Sequence, residues 1–302
     1  MDVELTQGRV DLAGLVGRIR VEFPHLEFAN ATLNELGEDH AVVILDDRWV
    51  FRFPRTAAAA ACGATERRLL ATLNPVSPVV TPRYEHVSQA GDFGGYRMIA
   101  GEELTEAAFA ALPREAQEAV LDEIGRFLRV MHALPAALVT RPGSAPIEDA
   151  AWYADRYAER RTRLAEALGP VLLALTDRFY QAFPAAVANT EVAVIHRDFS
   201  DDHVLLDPQR QRLAGVIDFT DAALGDPAFD FAFLWSYGRE APARVLQSYA
   251  SGAESTGILK RSLWWFVRFR IDQVWWTVSD ARAYDIERIA TELPALFGAL
   301  SL

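Results

Sequence analysis

Three short apolar runs, Val192 to Ile195, Val204 to Leu206 and Leu213 to Ile217, interrupt a half of the chain whose remaining pattern is helical. Polar turns separate them, and two of the runs lead into acidic turns. Ile195 is followed by His196-Arg197-Asp198-Phe199-Ser200-Asp201-Asp202-His203, and Ile217 by Asp218-Phe219-Thr220. The strands form an island inside a helical body, and the island concentrates the chemistry.

The first third has a different rhythm. Leu12, Leu15, Val16, Ile19 and Phe23 recur at three- and four-residue intervals and predict a helix from about Leu12 to Leu26. Ala41 to Leu45 and Trp49 to Phe53 are β-prone runs joined by Asp46-Asp47-Arg48, a hairpin closed by Pro54. The alanine-rich stretch Ala57 to Leu73 predicts a helix carrying Glu66, Leu69 and Leu70. After Pro75, Pro78 and Pro82, Tyr96 to Ile99 predicts the last strand of a mixed α/β lobe, with Ala100-Gly101 as a hinge. Helices follow over Glu115 to Leu134 and Asp149 to Phe183, and again from Pro227 onward, where Trp264-Trp265-Phe266 and Val274-Trp275-Trp276 stand out. The length of 302 residues suits two lobes sharing a cleft, because single cores stop growing near about 250–300 residues.

Charge narrows the partners. A net charge of −12 opposes nucleic acid and anionic membrane surfaces, whose recognition needs clustered Lys and Arg, and suits a cationic small molecule. The lone Cys62 excludes a disulfide framework and a cysteine metal cluster. With no signal-peptide pattern and no apolar run of about 20 residues, the expected location is the cytoplasm, without membrane contact.

Asp198 and Asp218 lie twenty positions apart, each just beyond an apolar strand. Phosphoryl transfer uses this arrangement: one carboxylate orients or deprotonates the attacking hydroxyl, while other ligands hold Mg²⁺ against the phosphates. Asp198 fits the first role. Asp218 fits the second, with His203 as partner ligand, although nitrogen is an uncommon donor to this hard ion.

The block His196-Arg197-Asp198-(four residues)-His203, then Gly215-Val216-Ile217-Asp218-Phe219, then Gly225-Asp226-Pro227-(two residues)-Asp230-Phe231, resembles the aminoglycoside phosphotransferases. Histidine at position 203 and Phe-Ser after Asp198 look closest to the 2″-phosphotransferase subgroup, with macrolide phosphotransferases second. The resemblance extends to Val50 through Pro54 and Gly95 through Leu104, so it covers most of the chain. It implies an α+β, protein-kinase-like fold of two lobes: a small mixed α/β nucleotide-binding lobe over 1–100, and a larger, mostly helical catalytic and substrate-binding lobe over 101–302. Asp198 would be catalytic, His203 and Asp218 would bind magnesium, and ATP or GTP would be the phosphoryl donor.

Two departures stand out. The family's nucleotide-anchoring lysine is Arg52 here, with Glu66 as its expected partner; a forked guanidinium cannot copy a lysine's point contact with phosphate. The loop Asn34 to Asp39 lacks G-x-G-x-x-G and keeps only Gly37. Arg67 and Arg68 offer Glu66 a local alternative. The purine edge is expected on backbone groups of Arg97 to Ile99, both Arg97 and Ile99 thereby contributing to the nucleotide site.

Asp201, Asp202, Asp221, Glu240 and Asp272 are candidate carboxylates for a polyamine acceptor, each charge-assisted hydrogen bond contributing roughly 1.5–3 kcal/mol when partly buried. Solvated helix faces would look the same. The four tryptophans 264, 265, 275 and 276 either wall a bulky ligand or form core. His196, Asp226 and Asp230 read as structural, Asp226 as the N-cap of the next helix. The expected activity is transfer to a hydroxyl of an aminoglycoside; a macrolide, a sugar or amino alcohol, or a pseudokinase binding module are the alternatives.

Overall fold

The computed structural model describes residues 10–34, 39–140, 150–188, 192–250 and 255–302. In chain order the elements are α1 (Leu12–Glu22), β1 (Ala31–Asn34), β2 (His40–Leu45), β3 (Trp49–Pro54), α2 (Ala57–Leu73), β4 (Tyr84–Val87), β5 (Gly94–Arg97), β6 (Glu102–Glu103), α3 (Glu106–Ala111), α4 (Arg114–His132), α5 (Ala150–Ala186), β7 (Ala193–Ile195), β8 (Val204–Asp207), β9 (Arg212–Val216), β10 (Ala223–Gly225), α6 (Ala241–Tyr249), α7 (Ser255–Val278) and α8 (Ile286–Ala299). They cluster into two units. The first comprises the chain up to Thr105 with Ala137–Val139 and Asp201–Ala222; the second comprises Glu106–Ala136, Thr140–Ser200 and Ala223–Leu302. Residues 201–222 thus cluster with the N-terminal part of the chain, while the segments on either side of them belong to the second unit.

The first unit is built on an antiparallel sheet in the order β1-β2-β3-β5-β4. Alternation along the strands sorts its faces. Ala41, Val43 and Leu45 of β2 and Trp49, Phe51 and Phe53 of β3 pack with Ile19 and Phe23 of α1 and with Phe93 in one apolar cluster. Full burial of side chains such as Phe51 and Ile19 contributes roughly 1.5–3 kcal/mol each. Arg52 falls on the other face by the same alternation. The β2–β3 turn forms at Asp46 and Asp47, both with positive φ (48° and 50°), a conformation that aspartate tolerates because its short side chain bonds locally. Asp46 accepts hydrogen bonds from the Ala29 and Asn30 N–H groups at 3.0 and 2.7 Å.

Thr56 caps α2 by accepting from the Ala59 N–H, and α2 covers the predicted span. α1 stops at Glu22, earlier than expected, because Pro24 disfavours helical backbone at Phe23. The backbone at Gly101, the expected hinge, passes so close to β8 and β9 that a Cβ would lie 2.7 Å from Ala214 Cβ. β6, β8 and β9 form a second sheet of the same unit.

In the second unit, α4 buries Val120, Leu121, Ile124, Phe127, Leu128 and Met131. Gly125 lets α6 approach: a Cβ there would stand 2.3 Å from the Val245 carbonyl oxygen. α5 is broken at Gly169 (φ 69°), just before Pro170. Trp264 and Trp265, each 5% exposed, pack with Phe179, Phe183, Tyr153 and Phe229. These two tryptophans are core; Trp275 and Trp276 are half-buried. No helix among the described residues is long and apolar enough to cross a membrane.

Candidate active site

Within the first unit, the outward alternation of β3 delivers Arg52 to a cluster of ionic partners. Its Nη1 donates to Glu66 Oε1 of α2 at 3.0 Å, and its Nη2 donates to Asp218 Oδ1 at 2.8 Å and to Thr220 Oγ1 at 2.9 Å. Arg67 and Arg68 do not compete, since they donate to the carbonyl oxygens of Gly91 and Leu138. Glu66 is closed in further by the Tyr84 hydroxyl at 3.1 Å and the Phe219 N–H at 3.3 Å. The fork of arginine makes the double attachment possible; a lysine carries a single nitrogen.

Electrostatics keep the cluster charged. Burial opposes ionisation of Asp218, but Arg52 and then His203 outweigh it and hold the carboxyl well below the usual range. Burial likewise opposes the Arg52 charge, and Glu66 and Asp218 more than restore it. His40 of β2 lies with Nδ1 3.4 Å from Arg52 Nη2, and burial together with Arg52 lowers its imidazole to about 4. Neither His40 nor Thr220 was singled out from sequence; strand alternation in β2 signals the first, and its position beside Asp218-Phe219 the second.

His203 Nε2 stands 3.9 Å from Asp218 Oδ2, the oxygen that Arg52 leaves open. Asp218 itself has positive φ (61°), a left-handed backbone uncommon outside glycine. No group of three or more His, Cys, Asp or Glu side chains converges as a metal cage among the described residues. One carboxylate oxygen with one imidazole nitrogen fits a divalent cation that draws the rest of its shell from phosphate and water oxygens, as Mg²⁺ commonly does.

In the second unit, Asp198 is exposed on the loop after β7. The preceding backbone is pinned by Asp230, whose carboxylate accepts from the His196 N–H at 2.7 Å and the Arg197 N–H at 2.9 Å. Arg197 has φ 70°, and these bonds hold that turn. Asp226 caps the short helix at Pro227–Phe229 through the Ala228 N–H, as the sequence indicated, and also accepts from Nε and Nη2 of Arg261.

The remaining expected residues are dispersed. Arg97 is exposed, its guanidinium 4.4 Å from the Trp49 ring centroid, and Ile99 is half-buried; both belong to the first unit. Asp201 and Asp202 are half-buried and Asp221 exposed in the first unit, while Glu240 is exposed beside α6 in the second. Asp272 departs from its expected role at the acceptor. It is 5% exposed and bound by Arg160 at 3.0 Å and Arg268 at 2.6 Å, so its charge is matched inside the fold. The loop with Gly37 and the first expected residue of the long helix, Asp149, lie outside the described residues.

A family model described as the phosphotransferase enzyme family matches residues 30–264. The uncharacterized protein YcbJ of Bacillus subtilis (strain 168) is 38% identical over 58 residues, so the match spans only 19% of this chain and 19% of that protein. Among solved structures, the GDP and kanamycin complex of APH(2″)-IIIa superposes with a TM-score of 0.71 at 21% identity, over 95% of this chain and 98% of that one. Macrolide 2′-phosphotransferase MphH from Brachybacterium faecium gives a TM-score of 0.61 at 22% identity, over 92% and 97% of the two chains. At such identities the likeness establishes the kinase-like fold.

Proposed function

The chain belongs to the phosphotransferase enzyme family, and on that premise we propose that it transfers the γ-phosphoryl group of ATP or GTP to a hydroxyl of an aminoglycoside in the cytoplasm. The observation that carries the proposal is the attachment of Arg52 to both Glu66 and Asp218, which fixes a permanent cation beside an ionised carboxylate in one unit. In this reading Asp198 receives the proton of the attacking hydroxyl, and Arg52 faces the phosphates. The purine edge bonds to the backbone of Arg97 to Ile99. Asp218 and His203 would hold magnesium, which when bound offsets phosphate charge.

Acceptor class rests on charge and on the bound kanamycin named for one structural neighbour. In this reading Asp201, Asp202, Asp221 and Glu240 face the ammonium groups of the acceptor, whereas Asp272 is buried between Arg160 and Arg268. A macrolide acceptor is the second reading, favoured by the likeness to MphH. Nucleotide consumption with ATP and GTP, measured with aminoglycosides and macrolides in turn, tests the proposal. Aminoglycoside-stimulated turnover whose acceptor KM rises with ionic strength supports it, because the Debye length falls from about 10 Å at 0.1 M to about 3 Å at 1 M. Turnover stimulated by macrolides alone would replace the acceptor. Nucleotide binding without turnover under any acceptor would make the chain a pseudokinase.

A further inference from the structure

We propose that His132 and Tyr249 are positioning residues for the loop carrying Asp198, acting through Asp230. The inference rests on reading Asp198 as the group that receives the acceptor's proton.

All the groups lie in the second unit. Asp230 is 1% exposed, and its carboxylate accepts from three donors: the backbone N–H groups of His196 and Arg197, and His132 Nε2 at 3.0 Å. A carboxylate only accepts, so Nε2 carries the proton. In the neutral ring Nδ1 is then an acceptor, and the Tyr249 hydroxyl stands 2.9 Å from it. The chain of bonds thus runs from the last residue of α6, through the last residue of α4, to Asp230 and on to the two amides that precede Asp198.

The far end of this chain is held firmly. Asp122 of α4 accepts from Arg244 Nε and Nη2, at 2.9 and 2.7 Å, and from the Ser248 hydroxyl at 2.9 Å, locking α6 to α4. The near end needs holding, because Arg197 adopts left-handed backbone that its side chain disfavours. Phe127 of α4 also stacks beneath Phe199, with ring centroids 6.0 Å apart. Without Tyr249 the His132 ring can rotate, Asp230 loses its fixed third donor, and the loop broadens its sampling. Misplacement of a reacting group by about 1 Å can cost about 100-fold in rate.

The test pairs hydrogen–deuterium exchange of residues 193–199 with steady-state ATP and GTP turnover on an aminoglycoside acceptor, using Tyr249→Phe, His132→Leu, His132→Gln and Asp198→Asn in the full chain. His132→Leu should speed exchange of the His196 and Arg197 amides at least about 10-fold and lower kcat by about 100-fold, with nucleotide KM nearly unchanged. His132→Gln, whose amide nitrogen can replace Nε2 as donor, should restore most of both. Tyr249→Phe, a change of one oxygen that should fold even where His132→Leu does not, should fall between. Unchanged exchange in Tyr249→Phe and His132→Leu overturns the proposal, as does a folded His132→Gln no better protected than His132→Leu. Wild-type turnover by Asp198→Asn, with the exchange response intact, would instead remove the reading of Asp198 while leaving the loop support standing.

Discussion

Arg52 binds Asp218 through Nη2 at 2.8 Å while Nη1 is committed to Glu66, whose side chain is fully buried. Removing the cation therefore strands a buried carboxylate. Arg52→Met should lower unfolding free energy by about 3–5 kcal/mol, as breaking a buried pair from one side does. Adding Glu66→Gln should recover a large part of the loss, and urea denaturation of the single and double variants measures both. Arg52→Lys should be milder, since one nitrogen can keep Glu66 while Asp218 is released.

His40 links stability to pH. Its pKa in the folded chain is lowered from 6.5 to about 4, so the native imidazole stays neutral where the unfolded one takes up a proton. Stability is full above pH 6.5 and declines as pH falls toward about 4, by about 3 kcal/mol in all. His40→Leu should flatten that part of the stability profile. The burial-lowered His86 leaves a residual slope in the variant.

Loss of function should be graded at the acidic turns. Asp198→Asn should abolish transfer with nucleotide affinity intact, whereas Asp218→Asn should abolish magnesium-dependent turnover. His203→Asn should retain more activity than Asp218→Asn, because an amide oxygen suits Mg²⁺. Magnesium titration of turnover for the three variants gives the order, and equal inactivity of the last two would contradict it.

Asp272 separates structure from acceptor binding. Asp272→Asn weakens its pairing with Arg160 and Arg268 and should cost about 3 kcal/mol in thermal or urea unfolding. Acceptor KM should stay within twofold of wild type. Glu240→Lys should do the reverse: little change in stability and a raised KM for a polycationic acceptor.

Local pattern read well where short-range chemistry decides it. The Asp46-Asp47-Arg48 turn, the helix at 57–73 and the alternation that turns Arg52 away from Phe51 and Phe53 were all legible. β1 and β4 were not, being four-residue strands with only alternate partial burial. The fate of Asp272 was illegible for another reason: one partner, Arg160, lies 112 residues away. Asp230 was rightly read as structural from its motif, yet its bond to His132 spans 98 residues, a separation to which periodicity is blind.

The return of 201–222 to the first unit has a consequence for synthesis. An emerging chain that ends at Thr105 lacks β8, β9, Asp218 and Thr220, so Arg52 meets Glu66 without its other two partners. At about 5–20 residues per second, on the order of ten seconds pass before that segment has been translated. Completion of the Arg52 cluster is thereby tied to the whole of α4 and α5 having been made, and a ribosome stalled before residue 201 should leave a nascent chain open to protease.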